Sequence, residues 1–157
     1  MPLACFVPLV VLPDPFSICR LAHDAPIPAW ATSGSFYSIT RTRDELSIVC
    51  PEEVVPNGTH CEPGWRGLRV AGTLDLSALG ILAALASPLA QAGVSIFTIS
   101  TFNTDYLLVK SKDLAKALEV LRQKGHFVRP SSFAERDLSA MFQTNSSPDP
   151  TEPDLLQ

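Results

Sequence analysis

The sequence predicts an α+β fold of two ferredoxin-like (βαββαβ) units in tandem, the first of them degenerate. Three observations carry this. The β-rich stretch Phe36-Tyr37-Ser38-Ile39-Thr40 lies over Ile96-Phe97-Thr98-Ile99-Ser100, and at the same offset Glu45-Leu46-Ser47-Ile48-Val49 lies over Asp105-Tyr106-Leu107-Leu108-Val109, a repeat that sets the architecture before any local reading. Residues 65–130 then run strand, helix, hairpin, helix, strand, which is the ferredoxin-like order with both helices on one face of four antiparallel strands. Finally, 157 residues with 46% hydrophobic and 18% charged content suit one compact unit or two small ones, and the repeat decides for two. The expected division is 1–64 for the degenerate unit, 65–130 for the complete one, and 131–157 for a short helix and a disordered acidic tail.

The apolar run Leu3–Leu12 has the look of a secretory core, but no Lys or Arg precedes it, Pro8 and Pro13 interrupt it, and no small-x-small site follows before Asp14. It reads as a strand. Phe16–Leu21 is a further strand, and the prolines of Ala25-Pro26-Ile27-Pro28-Ala29-Trp30 leave room for a turn only. The first hairpin turns at Arg41–Asp44, and Pro51–Val55 gives at most one helical turn. Trp65–Ala71 is a strand with Leu68 and Val70 on one face.

From Ser77 to Gln91 a helix is apolar on two sides, with Leu79, Leu82, Ala83, Ala86 and Ala90 on one and Ile81, Leu85 and Leu89 on the other. A sheet covers one side; a second domain or chain must cover most of the other. The apolar stretch Leu76–Ala92, about 17 residues broken by Ser77, Ser87, Pro88 and Gln91, is at the lower limit of a bilayer span, and a soluble, cytoplasmic protein without a membrane partner is expected. After the second hairpin, which turns at Thr101–Thr104, Leu114, Ala117, Leu118 and Leu121 mark an amphipathic helix within Ser111–Lys124, started by Ser111 or Asp113 and stopped by Gly125. His126–Arg129 is a short last strand, and Ser132–Phe142 a docking helix.

The net charge is −4. Residues 143–157 hold Asp149, Glu152 and Asp154 and no basic residue, so the body is close to neutral and lacks the basic face that nucleic acid requires. Cys5, Cys19, Cys50 and Cys61 form no C-x-x-C pair, and no P-loop, G-x-G-x-x-G, G-x-S-x-G or H-E-x-x-H is present. His23, His60 and His126 lie far apart. No catalytic residue, metal site or cofactor is expected, and the cysteines read as free thiols.

Two segments suit binding. Ala71–Gly80 leaves a strand and enters the long helix; its backbone N–H groups would attract a carboxylate and Gly72 and Gly80 would allow close approach, or it is only a turn capped by Asp75 or Ser77. Ser100–Asp105 is more polar than a turn requires. There Asp105 either meets a ligand cation or satisfies its own turn, and Phe102 either lies on a ligand or packs in the core.

The residues Leu68-Arg69-Val70-Ala71-Gly72, Gly80-Ile81-Leu82, Ser87-Pro88-Leu89-Ala90, Gly93-Val94-Ser95-Ile96 and above all Ser100-Thr101-Phe102-Asn103-Thr104-Asp105-Tyr106-Leu107-Leu108-Val109 resemble an ACT domain. They are most similar to the branch that includes the CASTOR arginine sensors, the regulatory part of aspartate kinases and short stand-alone proteins, and Phe16–Pro56 resembles a degenerate first ACT unit. The resemblance implies a non-catalytic regulatory module that pairs into a homodimer and binds a small ligand, an amino acid, between ACT units. It implies a pocket from Asp75, Ser77, Gly80 and Ile81 at the helix start, Ser95 and Ile96 after the helix, and Thr101, Phe102, Asn103 and Asp105 in the hairpin. Within Leu74–Leu79, Leu76, Ala78 and Leu79 are apolar where the arginine sensors place acidic residues beside the side-chain pocket, which points to a smaller or more apolar amino acid. Docking on an enzyme or signalling partner is the alternative role, and an accessory enzyme of an amino-acid or secondary-metabolite pathway the least supported one.

Overall fold

The structure, a computed structural model, describes residues 6–71 and 78–130. Its elements are β1 (Pro8–Leu21), β2 (Ser38–Arg41), β3 (Leu46–Pro51), β4 (Cys61–Val70), α1 (Ala78–Gln91), β5 (Ile96–Ser100), β6 (Asp105–Lys110), α2 (Leu114–Gln123) and β7 (Phe127–Pro130). Single 3-10 turns lie at Ala29–Thr32, Glu52–Val54 and Ser111–Asp113. All strands join one sheet in the order β2-β3-β1-β4-β6-β5, with β7 attached to β1. The class is α+β, as predicted, with tandem ferredoxin-like units merged through shared strands. Both the helix expected over Ser132–Phe142 and the acidic tail fall outside the described residues.

The two strands expected at Leu3–Leu12 and Phe16–Leu21 are one strand, β1, whose edge changes partner midway. Pro8–Val11 pairs with β7 in parallel and Phe16–Leu21 with β3 antiparallel. Between them Pro13, Asp14 and Pro15 are exposed and the ladder to β4 shifts register. Prolines cannot donate to a ladder, and here they occupy the interval where neither edge partner asks for a donor. One expectation is corrected by the same pairing. The last strand of the second unit does not close on β4, because β1 lies between them and β7 docks beyond it.

The helices α1 and α2 cover one face of this half. Leu9, Val11, Leu68, Val70, Leu107 and Val109 from the strands meet Ile81, Leu85, Leu89, Ala117 and Leu121 from the helices in the largest core. Of the two apolar sides of α1, the one built on Ile81, Leu85 and Leu89 faces inward, while Gly80, Ala83, Ser87 and Ala90 are exposed. Both helices end alike. Gly93 and Gly125, at φ 75° and 90°, follow α1 and α2, and the amides of Val94 and His126 reach back to Leu89 and Leu121, closing the last turn with the left-handed residue that only glycine adopts without cost.

Pro88 inside α1 leaves the Ala84 carbonyl without its helical donor. His126 fills the gap: the ring bonds the Ala84 carbonyl, while Nδ1 accepts the Val7 amide at 3.0 Å. A neutral imidazole thus ties α1, the α2–β7 link and β1 together, and burial lowers its pKa, with the Ala84 carbonyl pulling the other way.

In the N-terminal half the cover is slighter. Cys19, Leu46, Ile48 and Cys50 pack beneath Ala31, Trp30, Val54 and Val55, residues of 3-10 turns and their flanks. A third cluster, Phe16, Val49, Trp65 and Leu108 with Phe36, Phe97 and Ile99, occupies the other face of the sheet.

The two hairpins superpose with an offset one residue shorter than the sequence overlay proposed. Arg41 pairs with Leu46 around the turn Thr42–Glu45, and Ser100 pairs with Asp105 around Thr101–Thr104. The following 3-10 turns, Glu52–Val54 and Ser111–Asp113, keep the same offset. A one-residue slip exchanges the faces of a strand, and both faces here are apolar, so composition alone did not fix the register. The corrected register puts Asp105 in the place of Leu46.

Candidate functional site

The turn of the second hairpin is made by its threonines. Thr101 N donates to Thr104 O at 2.8 Å, and Thr101 Oγ1 accepts the Thr104 amide at 3.2 Å. Thr42 performs the same task in the first hairpin, where its amide donates to Glu45 O at 2.8 Å and its hydroxyl accepts the Asp44 and Glu45 amides. Asp105 is 9% exposed on the helix-covered face, in line with the core residues Leu107 and Val109, and its carboxylate accepts a 2.7 Å hydrogen bond from Oγ of Ser100, the residue across the turn, so one oxygen is used within the hairpin itself. No cation pairs with it among the described residues.

Thr104 Oγ1 donates to the Val70 carbonyl at 2.6 Å. That bond holds the hairpin against the last residue of β4, where the chain leaves the sheet toward α1. Val70 immediately precedes Ala71, the first residue of the strand-to-helix segment singled out in the sequence, of which residues 72–77 lie outside the described residues. Ile81 lies in the core beneath the helix and Gly80 is exposed, with open space around its α-carbon. Asn103 is exposed at the tip, and Phe102 is fully exposed (104%), so the alternative of a core-packed Phe102 is excluded. Asp75 and Ser77 lie outside the described residues.

Ser95 and Ile96 are elsewhere. Ile96 pairs with Val109, four residues along β6 from Asp105, roughly 13 Å away at strand rise. Within one chain they stand at the far end of the hairpin and do not join its turn. An open groove of about 490 Å³ between Glu62–Trp65 and Lys110–Lys112 also lies toward that end of β6, and none of the predicted site residues lines it. Ser100 and Thr104 are the residues the sequence reading missed as contributors. Both follow from the hairpin register, since Ser100 is the cross-strand partner of Asp105.

Among the described residues no cluster of His, Cys, Asp and Glu could hold a metal ion, and no helix is long and apolar enough to cross a membrane.

The merged sheet and the helices on one face define a tandem ferredoxin-like protein. A family model described as an ACT domain matches residues 60–123, and a second, for an N-terminal domain, matches residues 14–58. The crystal structure of protein Atu0741 from Agobacterium tumefaciens is 41% identical, with a TM-score of 0.79 over 82% of this chain and 96% of that one. "Cytosolic arginine sensor for mTORC1 subunit 1" of Rattus norvegicus is 38% identical over 103 residues, 60% of this chain and 31% of the sensor. The human sensor of the same description is 41% identical over 61 residues, 38% of this chain and 18% of the sensor. The chain thus spans less than a third of the arginine sensors it matches. The regulatory subunit of aspartate kinase from Thermus thermophilus shares the fold, at 14% identity and a TM-score of 0.53 over 71% of this chain and 93% of that one. The chain belongs to the ACT-domain proteins and is similar in sequence to the CASTOR proteins; with the aspartate-kinase regulatory subunit it shares the fold.

Proposed function

We propose that the protein is a non-catalytic regulatory module that binds a free amino acid at the second hairpin. The observation that carries this is Asp105: a buried carboxylate where the equivalent strand of the first unit has Leu46, 0% exposed. The fold accepts leucine there, so the acid serves something other than folding. A ligand ammonium is the natural partner of a buried carboxylate that has a single hydroxyl donor. The residues 72–77, which connect β4 to α1, would offer backbone N–H groups to the ligand carboxylate. The apolar character of Leu74, Leu76 and Leu79 favours a small or apolar side chain over arginine. The exposed small-residue side of α1, Gly80, Ala83, Ser87 and Ala90, is the surface through which two copies would pair.

Thermal unfolding in the presence of each of the twenty amino acids tests this. A ligand at a hundred times its Kd stabilises by about 2.7 kcal/mol, and Asp105→Asn is expected to abolish that response while keeping the Ser100 contact. A flat response to all twenty overturns the proposal. The fully exposed Phe102 at the hairpin tip favours one second reading, docking on an enzyme or signalling partner, which predicts a chain indifferent to amino acids.

A further inference from the structure

Three of the four cysteines converge although nothing in the sequence pairs them. Cys19 on β1 and Cys61 on β4 are direct cross-strand partners. The neighbouring pair, Arg20 and His60, is bonded through Arg20 N to His60 O at 3.0 Å, and hydrogen-bonded and non-bonded pairs alternate along an antiparallel ladder, so Cys19 and Cys61 form a non-hydrogen-bonded pair. In such a pair the Cα atoms stand about 4.5 Å apart with the side chains drawn together, inside the range that a disulfide bridges. Cys50 touches Cys19 from the other side, but β3 places Ile48 opposite Cys19 and Cys50 diagonally, a spacing of roughly 7–8 Å that a disulfide does not span without backbone movement.

We propose that Cys19 and Cys61 are a built disulfide site, oxidised by a hydroperoxide that enters at Cys61. Cys61 is half-buried, whereas Cys19 and Cys50 are buried, so Cys61 is the sulfur a small oxidant meets. Its thiolate attacks one peroxide oxygen, the O–O bond breaks, and a sulfenic acid and hydroxide form. The Cys19 sulfur then attacks the sulfenic sulfur, the S–O bond breaks, and the Cys19 proton leaves with the hydroxyl as water. Two thiols lose two hydrogens: the hydroxide takes up the proton Cys61 had released, so hydrogen peroxide becomes two waters, and an organic hydroperoxide would become its alcohol and one water. Cys19 is the direct cross-strand partner of Cys61 and is buried against it, so it is the thiol within reach of the sulfenic sulfur and serves as the resolving thiol; burial, with Cys50 and Cys61 adding to it, pushes its pKa up to about 12, which makes this second step the slower one. The bond would staple β1 to β4 across the base of the first hairpin.

The test treats the reduced, folded full chain with hydrogen peroxide, caps remaining thiols and maps the products after cleavage at Arg20, Glu53 and Arg66, which places Cys19, Cys50 and Cys61 on three different fragments. The expected product has lost two hydrogens, links Cys19 to Cys61, leaves Cys50 capped, reverts with dithiothreitol and melts higher than the reduced chain. The same product is expected from Cys5→Ser and Cys50→Ser chains, and none from Cys61→Ser. A bridge through Cys50 or Cys5, a link between chains, or a Cys61 that goes to the sulfinic acid without a bridge would each overturn the proposal, as would four unreacted thiols. Mapping the unmutated chain needs no variant to fold.

Discussion

The two hairpins of this protein are the same structure under different roofs. β2–β3 is covered by 3-10 turns and a small core of Cys19, Ala31, Leu46, Ile48 and Cys50, whereas β5–β6 is covered by α1 and α2 and the largest core. Neither half owns its sheet, because β1 and β4 run through both. The difference lies in what each half does with the position after the turn. The thinly covered half fills it with leucine and the thickly covered half with a carboxylate. A strong core has the reserve to tolerate a polar group at such a place, and the weak half has less of it.

The sharpest way to break that comparison is to exchange the residues. Leu46→Asp places an unpaired carboxylate in the small core and is expected to destabilise by about 4 kcal/mol, read as the shift of the urea midpoint. Because β1 and β4 are shared, the loss should appear in one transition for all probes. A separate early transition of the first hairpin would show that the halves unfold independently.

Next in size is the contrast between covers. Leu85 on α1 is fully buried in the large core, and Leu85→Ala is expected to cost about 3 kcal/mol. Ala31 is the buried residue of the corresponding turn, and Ala31→Gly removes one methyl, about 1 kcal/mol. Equal losses in the two variants would mean that the turns carry as much of the cover as the helices.

Much of this was legible in the sequence because periodicity reports burial. Leu114, Ala117, Leu118 and Leu121 announced α2, and the prolines at 26 and 28 announced a turn where a complete unit has a helix. The missed features share a cause. The fusion of two strands into β1, the displacement of β7 from β4 and the one-residue slip of the repeat depend on which strand lies beside which, and apolar strands with two buried faces leave no alternation to fix this. Asp105 was visible as an excess of polarity in a turn, but its equivalence to Leu46 required the register. Ser100 was invisible as a partner for the same reason, and Asp75 and Ser77 stay expectations.

A smaller effect separates the halves by pH. His126 ties the helical half together as a neutral ring, while His23 and His60 are exposed. Burial holds its folded pKa below the ordinary 6.5, so the unfolded chain takes the proton first. The contribution is complete above pH 6.5 and is lost as pH falls from there toward the folded value, at up to about 1.4 kcal/mol per pH unit. Urea midpoints measured between pH 7.5 and 5 should fall for the unmodified chain and flatten for His126→Gln. An unchanged slope would assign the acid sensitivity to carboxylates instead.

The smallest expected change in stability is the most informative. Asp105→Leu gives the second hairpin the residue the first already carries at that place, beside Leu107, Val109 and the helices. It removes the Ser100 hydrogen bond, worth about 1 kcal/mol, and the desolvation of a carboxylate, which opposes folding by at least as much. The midpoint should therefore stay within about 1 kcal/mol of the unmodified chain or rise, and any amino-acid response should vanish. Were Asp105 a structural residue, the same substitution would cost several kcal/mol through the orphaned partners around it. A stable Asp105→Leu chain without ligand response and a destabilised one are thus opposite answers, and they decide whether this carboxylate belongs to the fold or to what the fold binds.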